Sequence, residues 1–324
     1  MHKFRFATWV LTGYFIWHPA FAIDLSPIDA SQFGYLEAKH LASRAGFGAT
    51  PAEIENLLAL GLDRAVSSFF DKNTKAPKFE HSGIFDEGLD PFPASRPATT
   101  NLAKREGRAL GIDVKQEGNR RLQPIVNKFF YWLRASRLET DRVAYWWANR
   151  MLASPYALQE KMALFWHGHF ATNEDKVRDY RKMLKQIELF QNKGLGSFRE
   201  LLNETAKDPA MLVFLDAGVN TADSPNENFA REIMELFTMG VGNYSEHDVR
   251  EAARAFTGWT VKGTNFYLDS ANHDSGSKKF LSSSGEYDGA DIIDIILSQK
   301  QTSEFIGAKI YRYFVSDNVS EEGI

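Results

Sequence analysis

Apolar residues in this chain recur at helical spacing in nearly every segment that shows a period. Thr50-Pro51-Ala52-Glu53 has the form of a capping box, with proline at the first helical position. Ile54, Leu57 and Leu58 then mark one face, and Gly61 fits a C-terminal stop. A second helix is expected over about 62–70. From Leu122 the helical pattern resumes: Val126, Phe129, Phe130 and Leu133 share one face, and Val143, Trp146, Trp147 and Met151 the next. Pro155 opens a helix carrying Leu158, Met162, Phe165 and Trp166. The pattern predicts another over 174–192, with Tyr180, Leu184 and Ile187 inward and Gly194 as its stop. Ser197-Phe198-Arg199-Glu200 reads as a second capping box, and Asp208-Pro209 starts a short apolar helix through Leu215. Ser224-Pro225-Asn226-Glu227 reads as a third box, with Gly240 ending its helix. Ser245-Glu246-His247-Asp248 opens one with Val249, Ala252, Ala253 and Phe256 on one side. After Gly258-Trp259 the period changes, and 260–267 predicts a small hairpin. Two helices, about 290–298 and 303–314, follow, and no fixed-period repeat is visible. The expected fold is all-α, with a minor β-hairpin near 260–268.

Two segments fall outside that pattern. Residues 71–120 hold Pro77, Pro91, Pro93 and Pro97, several glycines and many charges without helical period, which reads as a long irregular excursion. Residues 1–22 read as a signal peptide: Lys3 and Arg5 form a basic start, 7–17 is a short apolar run, and Ala20-Phe21-Ala22 is a cleavage signal. That run falls short of the ~20 residues needed to span a bilayer. The expectation is therefore an exported chain, periplasmic or extracellular, with a single helical domain over 23–324 and no transmembrane segment once mature.

Composition narrows the chemistry. The 324 residues contain 44% hydrophobic and 13% aromatic positions, enough for a substantial core. The formal charge is −4, and loss of Lys3 and Arg5 would make it −6, which argues against a nucleic-acid partner. There is no cysteine, so disulfide scaffolding, thiolate ligands and thiol nucleophiles are excluded. No G-x-S-x-G, G-x-x-x-x-G-K-[ST] or H-E-x-x-H motif occurs.

Five ordered blocks resemble a bacterial family catalogued as domain of unknown function 1800. They are Ala42-Ser43-Arg44-Ala45-Gly46-Phe47-Gly48-Ala49-Thr50-Pro51; Met162-Ala163-Leu164-Phe165-Trp166-His167-Gly168-His169-Phe170; Pro225-Asn226-Glu227-Asn228 through Phe237; Ala252-Ala253-Arg254-Ala255-Phe256-Thr257-Gly258-Trp259; and His273-Asp274 ahead of Lys278-Lys279-Phe280-Leu281. The resemblance implies an exported, helical protein and carries no established activity. Two departures stand out: such proteins usually continue well past a helix ending near Phe314, and Ser282 stands where the family commonly has glycine.

The helix after Pro225 draws attention to a site. Phe229, Ala230, Ile233, Leu236 and Phe237 form its apolar arc, and Glu227, Arg231 and Glu235 are spaced for an ion-pair ladder. Asn228 and Glu232 stack on the edge of the arc, and Glu232 has no base three or four positions away. Arg254 is a partner Glu232 could recruit from another helix. His167 and His169 would diverge on a continuing helix and converge only if it ended at Gly168. His273-Asp274 could form a His–carboxylate unit in a polar loop. The expectation is one polar site between helices. Glu232 and Glu235 would be its catalytic carboxylates, Asn228, Arg254 and Asp274 its substrate contacts, and His167, His169 and His273 ligands for a divalent metal. A metal- or carboxylate-dependent hydrolase at the cell envelope follows. The alternative is a non-catalytic binding or assembly protein there, with an envelope or surface partner.

Overall fold

The computed structural model describes residues 26–70, 78–80 and 123–319, the backbone alone over 123–133. The signal segment and most of the 71–120 excursion lie outside the described residues. The described chain is mainly α-helical, with two small antiparallel strand pairs. Helices α1 (Tyr35–Ala45), α2 (Pro51–Leu60) and α3 (Leu62–Ser68) form an N-terminal group. Thr50 and Glu53 make the expected reciprocal cap on α2, and Gly61 at φ 74° ends that helix and begins the next. Helix α4 (Gln123–Ala153) is one continuous element of 31 residues. Pro155 separates it from α5 (Ala157–Phe170).

One expected helix is divided. The stretch 174–192 forms α6 (Glu174–Val177) and α7 (Tyr180–Lys193), because Arg178 turns left-handed at φ 50° and Asp179 caps α7 through its side chain. Next come α8 (Phe198–Ala206), α9 (Pro209–Phe214), α10 (Asn228–Met234) and α11 (Glu246–Ala255). Ser197 precedes α8 without a side-chain cap bond, and the third expected box does not form, since α10 begins three residues after Pro225. Strands β1 (Trp259–Lys262) and β2 (Asn265–Leu268) make the expected hairpin, pairing Trp259 with Leu268. A second pair, β3 (Lys278–Phe280) and β4 (Ser283–Gly285), is too short to leave a period-two signal. Helices α12 (Gly289–Leu297) and α13 (Lys300–Phe314) follow.

A single large apolar cluster joins α4, α5 and α7 to α13. Phe170 sits at its centre, 5.7 Å from the Phe190 ring and 5.3 Å from Phe237. Helix α7 lies against α4, α5, α6, α8 and α9, so it is covered on several sides. It nevertheless carries Lys182, Gln186 and Gln191 into the interior. Each is satisfied. Lys182 pairs with the buried Asp179 at 2.8 Å. Gln186 accepts from Thr172 and donates to Asp208 at 2.8 Å. Gln191 donates to Glu160 at 2.7 Å.

Glu160 is the acid that unites three helices. Its fully buried carboxylate also accepts from Trp147 Nε1 at 3.0 Å and from Arg150 Nε at 2.8 Å, so it binds α4, α5 and α7 together. Removing it leaves the Arg150 guanidinium, a tenth exposed, and the Gln191 amide without their main acceptor. Glu160→Ala is expected to lower the unfolding free energy by about 3–5 kcal/mol. Urea denaturation checks this, and a loss under 1 kcal/mol would refute the clamp.

Candidate functional site

The residues singled out by sequence are organised by the end of α10. Beyond Met234 the chain widens into a π-helical turn over Glu235–Met239, which stops at Gly240, φ 76°. A helix end leaves carbonyls without intrahelical donors. Side chains fill several of them. Thr238 Oγ1 donates to Ile233 O at 2.6 Å, and Asn243 Nδ2 donates to Met239 O at 2.7 Å. His169 Nε2 lies 3.0 Å from Phe237 O. Lys309 Nζ, from α13, lies 3.2 Å from both Leu236 O and His169 Nδ1.

This arrangement fixes the His169 tautomer. A carbonyl only accepts and an ammonium only donates, so Nε2 carries the proton and Nδ1 the lone pair. Both ring nitrogens are therefore engaged within the protein. Burial, helped by the Lys309 cation and opposed by the Phe237 carbonyl, pulls the imidazole pKa down to about 4. Helix α5 runs through Gly168 to Phe170, so His167 diverges from His169. The His167 ring packs edge-on to Trp147 at 5.4 Å, and its buried Nδ1 has no hydrogen-bond partner among the described residues. Beside His169 opens a groove of about 600 Å³, walled by Leu164 and Phe165 on α5 and by Lys309, Arg312 and Tyr313 on α13.

A second polar cluster ties the loop after β2 to α11. Arg254 Nε donates to Asp274 at 2.7 Å and its Nη1 to Glu251 at 3.0 Å. Arg254's partners are thus Asp274 and Glu251, and not Glu232. Burial raises the Asp274 carboxyl, but Arg254 and the Gly276 N–H outweigh it and hold the group below the usual carboxylate range. His273 Nδ1 donates to Thr257 O at 2.8 Å, and the buried Lys278 donates to Asp274 O and Gly276 O. Gly258, at φ 77°, lets the backbone of Asp269 approach where any side chain would collide.

Asn228 is also committed to the backbone, donating to Leu215 O at 3.0 Å. Its neighbour Asn220, buried, joins three segments by donating to Ala253 O and accepting from Asn226 N. Arg231 pairs with Glu227 at 3.0 Å and with Glu246 at 2.7 Å. The expected ladder ends there, because Glu235 accepts instead from the Tyr244 hydroxyl at 2.5 Å. Glu232 makes no hydrogen bond or ion pair among the described residues. Burial, with the Glu235 charge one turn away, raises its pKa.

The expected single pocket is divided. His169 faces Lys309 and the helix end, while His273 and Asp274 join Thr257 and Arg254. Among the described residues no three His, Asp or Glu side chains gather in a way that could hold a metal. Sequence reading did not find Lys309, Asn220 or Glu160. Glu160 left one signal, a carboxylate one turn before Ala163 and Leu164 on the same helix face. Lys309 left none.

The family model described as "Protein of unknown function (DUF1800)" matches residues 40–324, and the chain belongs to that family. No curated protein matches the chain, nor does any solved structure.

Two outcomes follow from these contacts. An unfolded imidazole takes a proton near pH 6.5, while folded His169 resists until about pH 4. The unfolded state therefore binds more protons in that window, and stability falls as pH drops through it, by about 3 kcal/mol for this ring. Urea melts across pH 4–7 should show the margin of wild type over His169→Gln shrinking toward acid and flat above pH 6.5; a constant margin would contradict the buried neutral ring. Separately, Arg254→Gln should cost about 1–3 kcal/mol, since charge-assisted bonds on a part-exposed guanidinium are lost. Limited proteolysis should then cut within 269–282, and unchanged cleavage there would argue against the tie.

Proposed function

We propose that this chain is an exported protein of the cell envelope that binds a partner or ligand and does not turn over a substrate. The supporting observation is that His169, Asn228, Arg254 and Asp274 each have their polar groups bonded to the chain's own backbone or charges. Residues of the types used for metal ligation and substrate contact act here as helix caps and loop ties. Export rests on the basic start, the short apolar run and the A-x-A signal. No helix among the described residues is long and apolar enough to cross a membrane.

Glu232 favours a second reading, acid–base hydrolysis. It is a part-buried carboxylate with a raised pKa and no partner among the described residues, which suits a proton donor or acceptor.

One substitution separates the two. Under the binding reading, Glu232→Gln removes a like-charge contact with Glu235 and should leave stability unchanged or raise it by about 0.5 kcal/mol. Any hydrolysis of a panel of envelope esters, amides and glycosides by the purified protein should be equal in wild type and variant. Turnover that depends on Glu232, or a stoichiometric divalent ion whose removal abolishes it, would overturn the binding reading.

A further inference from the structure

The groove between α5 and α13 has a composition that helix capping does not require. Lys309 reaches Leu236 O and His169 Nδ1 with two of its three donors, and its ammonium sits 4.4 Å above the Phe305 ring. Those contacts hold the side chain in place and leave its third N–H without a partner among the described residues. Arg312, one turn further along α13, is exposed and makes no hydrogen bond or ion pair among the described residues. Burial, with repulsion from the Arg312 charge, lowers the Lys309 pKa.

Among the described residues no acid lines this groove. Two more cations, Lys161 and Arg44, lie beyond Tyr313, with the Lys161 ammonium 5.8 Å from the Tyr313 ring and bonded to Ser43 O and Gly46 O. The whole chain is net acidic, at −4, so Lys309 and Arg312 in a groove lined by no acid run against its average. Unpaired like charges at this spacing are destabilising unless an anion joins them.

The remaining walls are apolar: Leu164, the Phe165 ring and the Tyr313 ring, the two rings 5.1 Å apart. Gly168 is exposed, with open space where a side chain would stand. A simple inorganic anion would leave those surfaces unused, and a bare hydrocarbon would leave the charges unmatched. We propose that this groove binds an anionic amphiphile, its oxyanion on Lys309 and Arg312 and its apolar body along Leu164, Phe165 and Tyr313. The guanidinium supplies the bidentate contact and the fixed ammonium a point charge. The inference deepens the binding reading by naming a ligand class, and its success or failure is independent of Glu232.

Dodecanoate, below its micellar concentration, is the probe. Calorimetric titration of the purified protein should give saturable, one-to-one binding. Arg312→Gln should weaken it about tenfold, the loss of one charge-assisted contact, while Arg312→Lys should retain most of it. Arg312 has no partner among the described residues, so the variants test the ligand contact with the fold intact; Leu164→Asp should weaken binding from the apolar side. Dodecyl maltoside, with the same tail and a neutral head, and acetate, with the same head and no tail, should each bind far more weakly. Dodecyl maltoside matching dodecanoate in wild type and variant alike would overturn the proposal, as would acetate matching it, or no saturable binding. Those failures would leave the binding reading standing, whereas Glu232-dependent turnover would remove that reading and leave the groove result untouched.

Discussion

A helix covered on several sides must satisfy every polar atom it carries inward, since an unbonded buried amide or ammonium costs several times what a typical bond contributes. Helix α7 meets this demand at three levels. Asp179 neutralises Lys182 near its start, Thr172 and Asp208 take both ends of Gln186, and Glu160 receives Gln191 in its last turn. Asp179 caps α7 itself, and the other partners belong to the elements around it. The positions of α5 and α9 about α7 are therefore set by hydrogen-bond geometry as well as by apolar area, and α4 is fixed in turn through Trp147 and Arg150 on Glu160. Apolar packing alone tolerates sliding, whereas a carboxylate with four donors around it does not.

The same logic governs the end of α10. Carbonyls freed by the π turn attract N–H groups from elsewhere, and an imidazole and an ammonium on two other helices supply them. Residues that resemble catalytic equipment are thereby put to architectural use. A cation brought in to serve a helix end also leaves charge at the protein surface, where α5 and α13 part. In this way a capping requirement at one place creates a recognition surface at another.

How much of this was legible in the sequence depended on the range of the forces involved. Helix starts set by local chemistry, such as Thr50 with Glu53 and Ser245 with Asp248, read directly, as did the Gly61 and Gly194 stops. The β1–β2 hairpin read because its period changes within a few residues. The break at Arg178 did not, since apolar spacing continues across it; it is held by Asp179, which caps α7 and pairs with the buried Lys182. The helix after Pro225 begins late because Asn226 is held by Asn220, a contact six residues back. For the site, the sequence located His169, Asn228, Arg254 and Asp274 as polar residues in unusual company. It could not tell that their partners would be backbone carbonyls and nearby charges, because those meetings depend on tertiary placement. Local spacing also made Glu227, Arg231 and Glu235 a ladder; its first rung, Glu227 to Arg231, forms, whereas Glu235 turns to Tyr244 from beyond the helix.

Helices α1 to α3 are attached differently from the rest. Lys161 holds two carbonyls at the end of α1, Gly46 presses on Ala157, and Phe79, following α3, rests against Trp146 and Tyr180. Around these contacts lie shallow hollows of about 600, 450 and 210 Å³. The molecule thus has a stiff interior wrapped on α7 and a corner fastened at a few points. Prying that corner away breaks few bonds and touches α7 only at Tyr180, so its free energy of opening lies below that of the whole. Local opening would therefore begin at α1–α3 and reach the helices packed on α7 only later.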